Sequence, residues 1–426
     1  MEEWPYRCVA LAGFVSIAYL AWLTGQRSRP NWTTVAGSAG LAWVLGLVTF
    51  WLPGSRWFFG HINDIVVAML TASQQGSVFL FGPLALGPGQ ALPDGTISVG
   101  FILAMQALPA VVFFAALMAG LYYLGIMQAI VQVFARLFYR IMGLSGAEAL
   151  SGAANIFVGI EAGLTVQPYL AAMTRSELLL VLTCMMATVA STVMGIYVAA
   201  LQHVVPQIAG HLISASVIAI PCAVLISKLS IPEAERPVTL GAIPSGDSNV
   251  TRPANLIVAL IEGAGQGVRM AVGIGALLIV FLGLEALLDL GLRQLPAMDG
   301  TALTVTRVLS WVTWPFSVLL GLRPEEWQIG ADLLGARFVE TEVAAYFKLA
   351  MVQSAHPPAL SPRSLIAMTY ALCGFVHFAS MGIFVGGLTA LVPARAKDVS
   401  LLGLRALWTA FLATLLTGCI AGVLAR

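Results

Sequence analysis

Charge is what this 426-residue chain has least of: Asp, Glu, Lys and Arg make up 10% of it, while 59% is hydrophobic. Soluble domains carry about 25% charged residues, so a water-exposed globule is excluded and an integral membrane protein is indicated. A net charge of +1 leaves no basic surface for nucleic acid. The five cysteines (Cys8, Cys184, Cys222, Cys373, Cys419) lie in or beside apolar runs with no CxxC pair, so they read as small buried hydrophobes rather than disulfides or metal ligands. HExxH, GxSxG and Walker motifs are missing, and nothing else marks an enzyme. Strand-like alternation is missing as well, which leaves an all-α architecture rather than a barrel.

What is present is a series of largely uncharged runs near the roughly 20 residues a helix needs to span a bilayer. They cover residues 8–26, 31–54, a stretch centred on 98–125, 178–201, 211–227, 266–291, 364–390 and 406–425. Met1-Glu-Glu-Trp-Pro-Tyr-Arg7 is acidic and the first run has no cleavage-site pattern after it, so that run is read as a retained span. Residues 56–90, with Arg56, His61, Asp64 and many glycines, read as an interfacial helix and loop. Arg27, Arg29, Arg136, Arg140, Lys228, Arg236, Arg252, Arg395, Lys397 and Arg405 share one side when the first span runs inward and regions 131–174 and 301–350 are re-entrant. The positive-inside rule makes that side cytoplasmic and both termini periplasmic or extracellular; the expected location is the plasma membrane, a bacterial inner membrane with both termini periplasmic.

The most informative stretch is Gly152-Ala-Ala-Asn-Ile-Phe-Val-Gly-Ile-Glu-Ala162, which sets Glu161 between apolar runs too short to cross separately. A carboxylate at membrane depth is costly and marks a functional site by default. The pattern recurs: Glu161, Tyr169, Thr174-Arg-Ser176 and a span with Thr188 and Ser191 are paralleled by Glu342, Tyr346, Pro362-Arg-Ser364 and a span with His377 and Ser380. Two acidic hairpins, each followed by a polar-centred helix, are what an inverted-repeat transporter shows. Glu161 and Glu342 can cap a half-helix and bind a ligand at once, since the helix dipole favours negative charge there. Asn155, Thr188 and Ser191 offer neutral oxygens either to a hard cation or to neighbouring helices, and spacing alone favours the helices. His377 can donate, accept or titrate, or only pack. His61, His203, His211 and His356 read as loop or interfacial residues, and Arg175 and Arg363 as boundary anchors.

Ser145-Gly-Ala-Glu-Ala-Leu150, Ala154-Asn-Ile-Phe-Val-Gly159, Glu161-Ala162, Pro168-Tyr-Leu170 and Met173-Thr-Arg-Ser-Glu-Leu178 together resemble the first hairpin of the concentrative nucleoside transporters. Thr369-Tyr-Ala-Leu-Cys-Gly-Phe-Val-His-Phe-Ala-Ser-Met-Gly-Ile383, Gly386-Gly-Leu388 and Leu401-Leu-Gly-Leu-Arg-Ala-Leu407 resemble the family's carboxy-terminal motifs, and the similarity runs from about residue 60 onward. The resemblance implies about eight transmembrane helices, two re-entrant hairpins in inverted repeats, interfacial helices and a homotrimer. It implies inward movement of a nucleoside with sodium, or with protons, as a transport domain slides against a scaffold. It implies a sodium site at Asn155, Val158, Thr188 and Val189, and no other cofactor. Substrate contacts fall on Gly159, Ile160, Glu161, Thr341, Glu342, Phe375, His377 and Ser380.

The substrate loop departs from the family. Gly-Gln-Thr-Glu is shortened to Gly159-Ile160-Glu161, and the ribose-contacting Asn is His377. Gly335-Ala-Arg-Phe-Val-Glu-Thr-Glu-Val343 stands where the family has Gly-Lys-x-x-x-Asn-Glu-Phe, with Thr341 for Asn and Val343 for Phe. Three functions therefore stand side by side: cation-coupled nucleoside uptake, uptake of another polar metabolite or modified nucleoside, and ligand sensing without transport. The expected division is 1–130 scaffold, 131–227 first hairpin and following spans, 228–300 loop and scaffold span, 301–394 second hairpin and polar-centred span, and 395–426 last span.

Overall fold

The computed structural model describes residues 3–87, 89–92, 95–159, 162–243, 253–296 and 302–425. In chain order the helices are α1 (Trp4–Thr24), α2 (Trp32–Trp51), α3 (Ser55–Phe81), α4 (Leu103–Gln106), α5 (Leu108–Tyr123) and α6 (Ile126–Met142). The first hairpin region follows as α7 (Gly146–Asn155), α8 (Ala162–Thr165) and α9 (Gln167–Leu170), then α10 (Arg175–Ala187), α11 (Ser191–Leu201), α12 (Ile208–Ser230) and α13 (Leu256–Leu292). The second half holds α14 (Val305–Leu319), α15 (Trp327–Glu340), α16 (Glu342–Ser354), α17 (Pro362–Ala371), α18 (Phe378–Leu391) and α19 (Ala396–Leu424). Among the described residues eight helical stretches are long and apolar enough to cross a bilayer.

Residues 55–81 form one continuous helix followed by a short turn and loop, where an interfacial helix and loop was expected. Two sequence expectations change in detail. The run 364–390 is not one continuous helix: α17 stops at Ala371 and α18 starts at Phe378. Cys8 is exposed on α1, unlike the four buried cysteines.

The two halves are built alike. An αL glycine, Gly143 (φ 62°) or Gly321 (φ 74°), ends the helix before each hairpin. Each then opens with a Gly-Leu-x-x-x-Glu run whose glutamate closes a capping box, Ser145 with Glu148 and Arg323 with Glu326. Each hairpin base is tied to the start of its broken helix. Ser145 Oγ donates to Glu177 at 2.5 Å, and Ser364 Oγ donates to Glu326 at 2.5 Å. Such bonds matter because lipid tails are as apolar as leucine, so packing and hydrogen bonds, not a hydrophobic drive, hold spans together.

Around the hairpins, α10–α11, α12 and α19 form the interior. In the best apolar window 94% of α10–α11 is buried, against 17% for α13, so the latter faces outward from this chain. The α5–α13 pair is the most extensive helix contact. It is close because Gly263 and Gly267 meet it: a Cβ on Gly263 would stand 2.6 Å from Ala119 Cβ, and one on Gly267 2.6 Å from Val112 Cα. Small residues at this spacing let backbones approach. By contrast α1 packs on α19 and α12, and α2 packs on α12, among the hairpin-bearing helices.

Candidate solute and cation site

Both broken helices lose their regular path at the same place. α10 ends at Thr188, extended at φ −118° and ψ 165°, and α11 begins after Ala190. The second break runs from Leu372 to His377, and Gly374 in it (φ 142°) lies against the first: a Cβ there would stand 2.8 Å from Met186 O and 2.9 Å from Ala187 O. Unwound backbone at this depth is tolerated only where it is buried in protein or lines a cavity. The freed groups are met by Arg337 of α15, which is fully buried and donates to Ala371 O at 2.5 Å, Gly374 O at 3.0 Å and Thr414 Oγ1 at 3.0 Å. A cation on the last carbonyls of a helix is also the favourable end of the dipole.

One hydrogen bond links the two segments that carry the predicted cation residues. The Ser191 amide, just past the first break, donates to Phe157 O in the unwound end of the first hairpin at 3.0 Å. Asn155 and Val158 flank one end of this link and Thr188 and Val189 the other, and all four are buried. Asn155 is fixed by its amide, which donates to Ser151 O at 2.9 Å, yet its Oδ1 has no partner among the described residues. Thr188 Oγ1 donates to Cys184 O at 2.9 Å and keeps its lone pairs. An unpartnered buried carbonyl oxygen is costly. Beside a hydroxyl and unwound backbone it suits a hard cation that takes oxygen ligands.

On the other side, α15 and α16 meet at Thr341, a β-branched residue held at φ 87°, ψ 160°. Such a conformation costs about 1–3 kcal/mol and persists only when its neighbours are over-determined. Here Glu340 is paired with Lys348, and Glu342 is held by the Tyr197 hydroxyl and lies against the His377 ring. Tyr197 OH donates to Glu342 Oε1 at 2.7 Å, and His377 Nε2 lies 2.7 Å from Oε2. Glu342 opens α16 and His377 caps α18, so each sits at a helix N-terminus. The Ser380 amide donates to His377 Nδ1 at 3.1 Å, and His377 N–H donates back to Ser380 Oγ at 3.3 Å. With Nδ1 accepting, the ring proton belongs on Nε2, directed at Glu342.

Of the predicted substrate residues, Glu342 and His377 are in contact, and Thr341 and Phe375 are their chain neighbours. Ser380 acts through its cap, its hydroxyl also directed at the Phe375 and His377 carbonyls. Gly159 is buried, and Ile160 and Glu161 lie outside the described residues. Sequence reasoning missed Tyr197, whose one signal was a phenol in the middle of an apolar span, where a buried hydroxyl needs a partner. Arg363, read as a boundary anchor, is instead buried at the base of the second hairpin, on Gly422 O, Gly321 O and Glu3. His211, read as interfacial, is half-buried in α12 beside the Tyr370 hydroxyl at 3.3 Å.

Three family models match the chain: Na+ dependent nucleoside transporter N-terminus over 12–84, Nucleoside recognition over 104–203, and Na+ dependent nucleoside transporter C-terminus over 211–422. Sodium/nucleoside cotransporter 1 of Rattus norvegicus is 36% identical over 99% of this chain, which spans 64% of that relative's length. An uncharacterized transporter of Haemophilus influenzae is 33% identical, over 96% of this chain and 95% of its own. Among solved structures, the transporter CNTnw in an inward-facing substrate-bound state superposes with a TM-score of 0.87 at 32% identity, covering 98% of this chain and 99% of that one. A variant of CNTnw in an outward-facing state superposes with a TM-score of 0.88 at 32% identity, covering 98% and 97%.

Proposed function

The chain belongs to the concentrative, sodium-dependent nucleoside transporter family, and from that premise we propose that it carries a nucleoside or nucleoside-like solute inward together with sodium. The observation that carries the coupling is Asn155 Oδ1, buried without a partner where the first hairpin is pinned to the break after Thr188. The observation that carries the solute site is Glu342, buried at the start of α16 with the Tyr197 hydroxyl on one oxygen and the His377 ring, at the start of α18, beside the other. Sodium is bound as a co-transported ion by Asn155, Val158, Thr188 and Val189. The solute is bound by Gly159, Ile160, Glu161, Thr341, Glu342, Phe375, His377 and Ser380. No catalytic step is involved.

Movement is of the elevator type. The α5–α13 pair, outward-facing and closely packed, serves as scaffold, and the hairpins with α10–α12 and α17–α19 slide against it. The packing of α1 and α2 on α12 and α19 groups them with the moving part, which narrows the scaffold expected over 1–130. The assembly is a homotrimer in a bacterial inner membrane, with both termini periplasmic. One cation crossing 100 mV supplies about 2.3 kcal/mol, enough for roughly fifty-fold accumulation.

The test is uptake of labelled uridine and adenosine into proteoliposomes under an inward sodium gradient. Accumulation that disappears when potassium replaces sodium is expected. Uptake indifferent to sodium and collapsed by a protonophore would assign the coupling to protons, and binding without uptake would make the protein a sensor. His377 in place of the family's amide favours a second solute, a modified nucleoside or another polar metabolite, if neither labelled nucleoside is taken up.

A further inference from the structure

The carboxy-terminal part of α13 touches its own chain along one narrow stripe, and the stripe is acidic. Over residues 282–290 only Glu285 and Asp289, one turn apart, are partly covered, and everything between them is exposed. A carboxylate about two turns inside the end of an outward-facing apolar helix is costly, so its partners matter. Asp289 Oδ1 accepts from the Val305 amide at 2.7 Å and Glu285 Oε1 from Thr306 Oγ1 at 2.7 Å, which ties both to the start of α14. Glu285 also lies within hydrogen-bonding reach of the carboxyl of Glu340, the last residue of α15. This is where α13 meets the second hairpin.

Two carboxyl groups therefore face each other across the boundary between scaffold and hairpin. One hydroxyl lies between them: Thr306 Oγ1 is 2.7 Å from Glu285 and 3.2 Å from Glu340, and its single hydrogen serves the nearer. Glu340 is 3% exposed and takes its positive partner, Lys348 of α16, from its own hairpin. The other charged groups at this contact are Asp289 on α13 itself and Arg307, next to Thr306 on α14. The remaining helix packed on α13, α5, has no charged residue over Leu108–Tyr123. Two ionised carboxylates at this spacing repel, whereas one shared proton makes them a hydrogen-bonded unit. Only Thr341, strained at φ 87°, separates Glu340 from Glu342, so the hairpin tip meets the scaffold one residue away from the solute site.

We propose that Glu285 and Glu340 form a proton-operated latch between the scaffold and the second hairpin, and that this latch sets the rate of the sliding step. With a proton shared between the carboxyls the latch is closed and the hairpin is held. With both ionised it is open and the hairpin moves faster. The proposal rests on the sliding movement put forward above and adds a control by ambient pH that is separate from the coupling ion, since neither carboxyl is among the solute or cation residues.

The full-length protein in proteoliposomes, at equal pH inside and out so that no proton gradient exists, is assayed for uptake at saturating sodium and saturating uridine or adenosine between about pH 5 and 8. The wild-type rate rises about threefold or more from the acid to the alkaline end, the effect of one hydrogen bond that sliding has to break. Glu285→Gln, whose amide can donate to Glu340 at any pH, is slow and flat across the range. Glu285→Ala, which has no latch, is fast and flat. Both variants lose the same carboxylate, so a merely structural role slows them alike, and equal rates in the two overturn the proposal. So does a wild-type rate indifferent to pH, or a Glu285→Ala profile that keeps the wild-type slope. Melting in nanodiscs without solute reads the latch directly: the wild type gains on Glu285→Ala as pH falls, because the folded pair holds a proton more tightly than the unfolded chain does. No uptake of either nucleoside by the folded wild type overturns the transport reading and leaves the decision to melting, where a difference between wild type and Glu285→Ala that does not change with pH overturns the latch.

Discussion

Gly374 rests on Ala187: a Cβ at Gly374 would stand 2.9 Å from the Ala187 carbonyl oxygen. The two broken helices therefore cross through their unwound segments, and the half-helix ends and both hairpins gather there. Gly374→Ala adds a methyl against backbone at a φ of 142° that side chains rarely adopt. It should cost about 2–5 kcal/mol, summing backbone strain and overpacking. Melting in detergent checks this against Gly386→Ala, where nothing lies within 4 Å and no comparable loss is expected.

Asn155→Ala removes the unpartnered Oδ1 and leaves the first hairpin its link through Phe157 O and Ser191 N. Half-saturation by sodium should rise about tenfold or more, the effect of losing one ligand worth about 1.4 kcal/mol. Solute affinity at saturating sodium should change much less. Sodium titration of uptake reads both quantities, and an unshifted sodium curve would remove Asn155 from the ion site.

Glu342→Gln exchanges a charged acceptor for an amide beside the Tyr197 hydroxyl and the His377 ring. Charge-assisted bonds contribute about 1.5–3 kcal/mol each, so solute affinity should fall tenfold or more. Circular dichroism and size-exclusion profiles should stay those of the wild type. A folded variant with unchanged binding would place the solute elsewhere.

His377→Ala uncaps α18 and should cost about 1 kcal/mol, whereas His377→Asn retains a favoured cap residue and should melt near the wild type. The same exchange returns the family's amide and should keep or improve binding of an ordinary nucleoside. Calorimetric titration with an ordinary nucleoside checks this, and weaker binding to His377→Asn than to the wild type would overturn it.

Much of the fold was legible in one dimension because membrane burial acts on local composition. Largely uncharged runs of spanning length and acidic residues isolated between short ones both follow from the cost of leaving polar groups in lipid, whereas the paired Gly-Leu-x-x-x-Glu runs stood out only once their capping boxes had formed. Glu342, His377, Asn155 and Thr188 could be singled out in the same way, since a lone polar group in an apolar run has to be explained. The run 364–390 was less legible. Its apolar character is continuous, and only the positive-φ backbone of Gly374 and the caps at His377 and Ser380 interrupt it.

What the sequence by itself determined was the kind of protein: a helical membrane chain of two similar halves, each with a buried carboxyl-bearing hairpin, carrying a transporter family's motifs. What only the tertiary structure decided was who partners whom. Tyr197 reaches Glu342 across 145 positions, and Arg337 closes the carbonyls of a helix break 34 and 37 residues away. Composition constrains each residue's depth, because solvation energy is a property of the side chain alone. Pairing depends on distances that exist only after the helices have packed, so the Tyr197 hydroxyl on Glu342 and the orphaned oxygen of Asn155 had no counterpart in the order of residues.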